Sequence, residues 1–162
     1  MKPSYKKLKS NHYSSNENAR NFVDGQLLYS EIGYSRQSLL RRNRAYRNTC
    51  AVRMSLALLK TGIPFAGRLK IKSGQFKGKY IEPGAKLLAD QLMKPRAFGR
   101  PAVYNSNDFK KKVLGKKGVV LFHKIRDYGG GHIDLIEPAN LSFICHSSCF
   151  FACREIWFWP LR

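Results

Sequence analysis

The most regular hydrophobic pattern in the chain predicts a helix over residues 48–60. Its apolar positions recur at helical spacing: Val52, Leu56, Leu58 and Leu59. Thr49 precedes the pattern as a candidate N-cap, and Gly62 follows as a candidate C-terminal stop. Cys50 therefore falls in the first turn of the predicted helix.

Weaker patterns predict further helices on both sides of this segment. A second helix begins at Pro83-Gly84 and ends before Pro95, and a third extends from Asn105 to Leu114 with Gly115 behind it. Residues 22–34 carry scattered apolar groups and favour a helix that stops at Gly33. Residues 65–82 alternate Gly, Lys and apolar groups, which is typical of a loop with a short strand.

Strand-like segments dominate the last third of the chain. They are rich in β-forming residues and bounded by turn residues: Gly118–Ile125, His132–Ile136, Phe143–Cys145 and Ile156–Trp159. Helices first and a series of strands afterwards predict an α+β fold with an antiparallel sheet. We expect the helix that carries Cys50 to pack on this sheet.

The length of 162 residues suits one domain with its own core. Residues 1–20 are polar and basic with few apolar anchors, so we expect a loosely ordered arm there. Residues 21–162 then form a single domain, which would carry any chemistry. The longest apolar runs are far shorter than the roughly 20 residues of a membrane span, which argues against membrane insertion.

Charge changes this picture. Thirty Lys and Arg against ten Asp and Glu leave a formal net charge of +20, which predicts a polyanionic partner such as nucleic acid, anionic lipid or an anionic wall polymer. The basic run Arg36–Arg47 contains aromatic and apolar residues, and as nucleic-acid contact it is a weak pattern. A solvated face leading into the Cys50 helix is the favoured interpretation.

The charge leaves two non-catalytic alternatives open. One is a basic nucleic-acid-binding module, although the chain shows no zinc-finger, RNP or GxxG signature. The other is a cationic protein that binds the wall or disrupts membranes. The basic N-terminus is not followed by an apolar core, so the sequence predicts no secretory signal peptide. Another machine would have to carry the protein out of the cytoplasm.

Cys50 is the strongest candidate for catalytic chemistry. A thiol in the first helical turn is close to unpaired N–H groups and to the positive end of the helix dipole, and both favour the nucleophilic thiolate. The alternative is an inert buried cysteine, since free Cys is among the most buried residue types.

His132 is the candidate general base. It follows three consecutive glycines and opens a strand, where both backbone and substrate can approach the ring. A cysteine at a helix start and a histidine on a strand form the usual thiolate–imidazolium pair. His12, in the expected arm, and His123, in an apolar strand, are weaker competitors. The alternative for His132 is an ordinary half-exposed strand residue.

Three stretches together resemble a known family: Asn48-Thr49-Cys50-Ala51-Val52-Arg53-Met54-Ser55, Gly131-His132-Ile133-Asp134-Leu135 and Ile156-Trp157-Phe158-Trp159-Pro160-Leu161. The family is the fourth family of type VI secretion amidase effectors, which are similar to NlpC/P60 peptidases with a papain-like core. The resemblance covers roughly residues 45–162. It implies that Cys50 is the nucleophile and His132 the base, and it implies no cofactor and no metal.

The resemblance also implies a substrate and partners. The family cleaves the peptide stems of peptidoglycan between D-glutamate and meso-diaminopimelate. Its members are delivered by the type VI secretion apparatus into the periplasm of rival bacteria and are blocked by a cognate immunity protein. On this basis we expect an antibacterial DL-endopeptidase that is made in the cytoplasm and acts in the target's periplasm, with no nucleic-acid partner.

The chain departs from the family pattern at the residue that orients the histidine. The family places an Asp inside a Cys-x-x-x-Cys segment after the histidine strand, whereas this chain has Cys145-His146-Ser147-Ser148-Cys149. Ser147 is the candidate by position and Asp134 is the candidate by charge, while His146 is a further alternative. Asp134 faces the same way as His132, but a neighbour on the same strand is expected to run parallel to the ring. Its non-catalytic alternative is a surface carboxylate.

Three cysteines remain besides Cys50. The resemblance implies a disulfide between Cys145 and Cys149, and a bridge between Cys149 and Cys153 is the alternative. A zinc site from Cys145, His146, Cys149 and Cys153 matches none of the usual ligand spacings.

Overall fold

The computed structural model describes residues 2–125, 130–140 and 153–162. Its α-helices are α1 (Tyr5–Asn11), α2 (Gly25–Glu31), α3 (Arg36–Arg42), α4 (Cys50–Thr61), α5 (Ala85–Leu92) and α6 (Ser106–Val113). Its strands are β1 (Leu69–Lys70), β2 (Tyr80–Ile81), β3 (Ala102–Tyr104), β4 (Gly118–Ile125), β5 (His132–Ile136) and β6 (Cys153–Pro160). Short 3-10 turns occupy Arg44–Arg47 and Pro138–Asn140.

The main sheet is antiparallel and has four strands among the described residues, in the order β3-β6-β4-β5. Strand β5 lies at one edge and pairs with β4, so that His132 stands opposite Phe122 and Asp134 opposite Val120. A separate two-stranded ribbon joins β1 and β2. The predicted α+β class with an antiparallel sheet is therefore confirmed.

Helices cover both faces of this sheet, because its strands alternate apolar side chains between two cores. One core joins α1, α4 and α5 to the sheet residues Val119, Leu121, Ile133, Leu135, Trp157 and Trp159. The other joins α6 to Val120, Phe122, Ile136, Ile156 and Phe158. The Cys50 helix thus packs on the antiparallel sheet, as the sequence predicts.

Helix α4 covers Cys50–Thr61 instead of the predicted 48–60, and it has the predicted N-cap residue, Thr49, and the predicted terminal glycine, Gly62. Cys50 is its first residue, and Gly62 ends it with a φ of 77°, a left-handed conformation that glycine adopts without a Cβ clash. Thr49 is the N-cap residue, but its side chain makes no capping hydrogen bond. It accepts instead from Arg53 Nε at 2.9 Å. The threonine is therefore used to hold an arginine of the same helix.

The basic run Arg36–Arg47 folds as helix α3 and a 3-10 turn, with Ser35 as the N-cap of α3. Four of its arginines are exposed: Arg41, Arg42, Arg44 and Arg47. The run is therefore a solvated face that leads into α4. The predicted helix within residues 22–34 also forms, with Asp24 as its N-cap and Gly33 at a φ of 85° behind it.

The first 20 residues differ from the expected loosely ordered arm. Helix α1 buries Tyr5 and Leu8 in the core beside α4, and the Tyr5 N–H donates to the Arg162 carbonyl at 2.5 Å. Lys9 pairs with Glu137. The arm was expected because few apolar residues anchor it, but the two in α1, Tyr5 and Leu8, are almost fully buried, and Arg162 and Glu137 from the distant end of the chain contact the same helix.

The predicted strand at 143–145 lies outside the described residues. No helix among the described residues has the length and apolar character needed to cross a membrane.

Leu8→Ala tests whether α1 is part of the core. Leu8 is 0% exposed, so we expect the truncation to lower the free energy of unfolding by about 2–5 kcal/mol through lost burial and a cavity. The matched control is Leu27→Ala in α2. Leu27 is 61% exposed, so its truncation should change the free energy of unfolding by less than about 0.5 kcal/mol. Urea unfolding of both variants measures the difference. Equal effects on the free energy of unfolding would show that α1 is not part of the core and would support the expected loose arm.

Candidate active site

Helix α4 presents Cys50 at its N-terminus. The residue is buried and opens a helix of 12 residues, so its thiol lies at the positive end of the helix dipole. Asn48 fixes this end of the helix, because its Oδ1 accepts from the Cys50 backbone N–H at 3.3 Å. The Asn48 Nδ2 is 3.5 Å from the Gly131 carbonyl, next to His132. One side chain therefore joins the start of the cysteine helix to the start of the histidine strand.

Strand β5 presents His132 and Asp134 on one face, and the two side chains meet. His132 Nε2 lies 3.1 Å from Asp134 Oδ2. A side chain two residues away on the same strand therefore does reach the ring, and it does so at Nε2. Nδ1 is therefore left for the thiol of Cys50.

The electrostatics of the group favour a protonated His132. Burial on its own lowers the pKa of His132, but hydrogen bonds with Asp134 and Cys50 and the charges of both outweigh it and raise this pKa to about 10. Burial likewise raises the pKa of Asp134, but the hydrogen bond and charge of His132 hold it below its usual value. The arrangement is that of an imidazolium held between a carboxylate and a thiol.

The Asp134 carboxylate is also fixed from its own strand. Its Oδ1 accepts from the Leu135 N–H at 2.8 Å, while Oδ2 faces His132. Each oxygen thus has a separate task, and the carboxylate cannot rotate without losing one of the two contacts.

Arg53 was missed as a structural element of the site. Its buried guanidinium donates to Thr49 Oγ1 at 2.9 Å, to the Ser14 carbonyl at 2.7 Å and to the Val23 carbonyl at 2.6 Å. Helix α4 therefore holds the segment that follows α1. The buried arginine three positions after the candidate nucleophile was visible in the sequence, but nothing in the pattern indicated its partners.

The two competing histidines have different positions. His123 lies on β4 beside Trp157, and burial followed by the charge of Lys86 lowers its pKa. His12 was expected in a loose arm and is instead buried, with Nε2 4.0 Å from Asp134 Oδ1. Sequence reasoning missed this position because the contact joins residues far apart in the chain.

Several predicted residues fall outside the described part of the chain. Ser147, His146, Cys145 and Cys149 belong to this group, so the role of Ser147 and the Cys145–Cys149 disulfide stay predictions. Cys153 is described and has a free, buried thiol, which does not fit the alternative Cys149–Cys153 bridge. Burial raises the pKa of this thiol to about 11, so Cys153 is a poor nucleophile at neutral pH.

A depression of about 380 Å³ opens beside the start of α4. Thr49 and Arg53 form its wall on the α4 side. Carboxylates and guanidinium groups line other parts of it, from Glu17, Asp24, Arg36 and Arg47. Its volume is in the range of small-ligand pockets, and its mixed charge suits a ligand with both amino and carboxylate groups. Within residues 2–125, 130–140 and 153–162, no three His, Cys, Asp or Glu side chains converge as metal ligands would.

Comparisons with known proteins bear on the family and the fold of the chain. A family model described as "Type VI secretion system (T6SS), amidase effector protein 4" matches residues 46–159. The fold is similar to the crystal structure of the type VI effector Tae4 from Enterobacter cloacae, with 20% identity and a TM-score of 0.69 over 100% of this chain and 98% of that chain. It is also similar to Tae4 from Salmonella typhimurium, solved in complex with the immunity protein Tai4 from Enterobacter cloacae, with 20% identity and a TM-score of 0.65 over 99% of each chain. No curated protein matches the chain.

The raised pKa of His132 predicts a pH-dependent stability. Native His132 keeps its proton above pH 6.5, where the unfolded chain loses it, so its contribution is complete below pH 6.5 and disappears as the pH approaches 10. We expect the free energy of unfolding of the wild type to fall with pH across this interval more steeply than that of His132→Gln. The difference between the two slopes should reach up to about 1.4 kcal/mol per pH unit.

Urea unfolding at several pH values measures this slope. His123→Gln is the control, because a histidine whose pKa is lowered is neutral in both states above pH 6.5 and should leave the wild-type slope unchanged. Identical slopes for the wild type and His132→Gln would show that His132 gains no proton affinity on folding.

Proposed function

The chain belongs to the amidase effector protein 4 family of the type VI secretion system, and from this premise we propose that it hydrolyses the bond between D-glutamate and meso-diaminopimelate in peptidoglycan stems. In this reaction Cys50 is the nucleophile and His132 is the general acid and base. The observation that carries the proposal is the His132 ring, held by Asp134 on one nitrogen and coupled to Cys50 at the start of α4. The family makes the protein an amidase, and these residues are our assignment of its chemistry.

The first half of the reaction forms an acyl-enzyme. The Cys50 thiolate attacks the carbonyl carbon of D-glutamate, and an S–C bond forms. The C–N bond then breaks as His132 gives its proton to the leaving amine of diaminopimelate. We assign the oxyanion hole to backbone N–H groups in the first turn of α4. The Cys50 N–H donates to Asn48 Oδ1 in the free protein, so it must exchange this partner to serve the oxyanion.

The second half restores the enzyme. A water molecule gives a proton to the now neutral His132 and attacks the thioester carbon. The S–C bond breaks, the stem fragment leaves as a carboxylate, and the thiolate–imidazolium pair forms again. Asp134 stays ionised throughout and keeps Nε2 protonated, so that Nδ1 is the nitrogen that exchanges protons with the substrate.

We assign the stem peptide to the charged depression beside α4, which is lined by Thr49, the neighbour of Cys50 in the chain. A stem around the scissile bond carries free carboxylates and an amino group, and the depression offers both guanidinium and carboxylate side chains. Arg41, Arg42 and Arg44, the exposed arginines of the basic run that do not line the depression, have a different task in this proposal. They contribute to a net charge of +20 that concentrates the enzyme at an anionic wall polymer.

Delivery and inhibition complete the proposal. We assign the protein a site of action in the periplasm of a target bacterium, reached from the cytoplasm through the type VI secretion apparatus. The related Tae4 from Salmonella typhimurium was solved with an immunity protein, Tai4. A cognate immunity protein is accordingly the partner that we propose for this chain.

Cys50→Ala tests the nucleophile. Digestion of purified peptidoglycan by the wild type should release stem fragments that begin with diaminopimelate, detected by mass spectrometry, and Cys50→Ala should release none. Cys153→Ala is the matched control, since Cys153 is also buried and unbridged but should keep wild-type turnover. Far-UV circular dichroism confirms that each variant is folded, and turnover by folded Cys50→Ala would reject the mechanism.

Asp134→Asn tests the residue that orients His132. The amide keeps the size of the side chain but removes the carboxylate charge that faces Nε2 of His132, so we expect kcat to fall by about 10²- to 10⁴-fold. Ser147→Ala is compared in parallel on the same soluble muropeptide. If Ser147→Ala gives the large loss and Asp134→Asn does not, the third catalytic position belongs to Ser147.

A further inference from the structure

Among the described residues, His12 is the histidine near the catalytic group that the mechanism above does not use. It follows helix α1 as its C-cap and is buried, although it comes from a segment far from the catalytic residues in sequence. Its Nε2 lies 4.0 Å from Asp134 Oδ1 and has no hydrogen-bond partner among the described residues. A buried polar atom without a partner is costly, and here it is directed at a catalytic carboxylate.

The position of His12 is fixed by both of its neighbouring segments. Its N–H donates to the Lys9 carbonyl at 3.1 Å, which ends α1, and its carbonyl accepts from Asn21 Nδ2 at 2.6 Å. The residues that follow are held by Arg53 of α4 through the Ser14 and Val23 carbonyls. The His12 ring is therefore held relative to the same helix that carries Cys50.

Burial and the nearby positive charges lower the pKa of His12, which favours a neutral ring. Burial lowers its pKa first of all, the attraction of Asp134 opposes this, and the positive charges of Arg53 and His132 lower it further. These three groups are the ionisable side chains that face it. At 4.0 Å the ring makes no hydrogen bond with Asp134, but a neutral ring protonated at Nε2 presents an N–H dipole to the carboxylate without competing with the imidazolium of His132 for its full charge.

We propose that His12 is a positioning residue of the amidase: its neutral ring closes the Oδ1 side of Asp134, so that the carboxylate stays shielded from water and keeps Oδ2 on His132. This proposal rests on the function proposed above. Asp134 depends most on His12 when His132 has given its proton to the leaving amine, because the carboxylate then faces a neutral ring. An N–H at Oδ1 stabilises the carboxylate in that interval, and no proton moves to or from His12.

The test uses substitutions that preserve size. His12→Phe keeps a ring in the buried space and removes both nitrogens, while His12→Gln keeps an N–H donor. His123→Phe is the matched control, since it makes the same exchange at His123 on strand β4. Two measurements are made on each folded variant: kcat and KM on a soluble muropeptide, and the rate of Cys50 alkylation by iodoacetamide against pH.

We expect His12→Phe to lower kcat by about tenfold with little change in KM, and to lower the alkylation rate at pH 6 by a similar factor, because a less constrained Asp134 supports the imidazolium less well. His12→Gln should recover most of both losses. His123→Phe should behave as the wild type in both measurements.

Two results would overturn the proposal. If His12→Phe keeps wild-type kcat and the wild-type alkylation profile, His12 only fills space. If His12→Gln is as impaired as His12→Phe, the N–H donor has no role. The alkylation arm needs no substrate, so it separates the two proposals. A shifted alkylation profile in His12→Phe, with no muropeptide cleavage by the wild type, would refute the substrate and retain the role of His12.

Discussion

The buried guanidinium of Arg53 is the contact on which the arrangement of the site depends. A cation in a protein interior is stable only if its hydrogen bonds replace those of water, and Arg53 replaces them with a threonine hydroxyl and two backbone carbonyls. The two carbonyls belong to residues 14 and 23, so the arginine fastens the segment after α1 to the helix that begins at Cys50. The position of His12 beside Asp134 follows from the same attachment.

The sequence predicts best where structure and chemistry are local. Helix α4 was predicted with its correct N-cap residue because its apolar spacing and its terminal glycine lie within one short stretch. Strands β4 and β5 were predicted for the same reason, and with them the strand that presents His132. The family resemblance rests on these two stretches and on β6, and the family match to residues 46–159 confirms it.

The parts that the sequence did not predict are contacts between distant segments. Two apolar residues were too few to indicate that α1 is a core helix, yet Leu8 is completely buried. Nothing near His12 in sequence indicates Asp134, since about 120 residues separate them. Asp134 itself was recognised as a candidate, but which ring nitrogen it faces depends on the rotation of His132, and a sequence does not specify rotations. Ser147 stays a prediction.

The position of β6 in the sheet has a consequence for the order in which the molecule forms. Strand β6, residues 153–160, lies between β3 and β4 and supplies the hydrogen bonds that both of them need. During synthesis, β3 and β4 are therefore made before their shared neighbour exists, and each has a strand edge that stays unpaired until β6 is added. The long-range pairing also makes folding slow relative to a helical protein of this size. The sheet behind the cysteine is thus assembled only after translation has passed residue 160, so a ribosome-bound chain that already contains Cys50, His132 and Asp134 still lacks the central strand of that sheet.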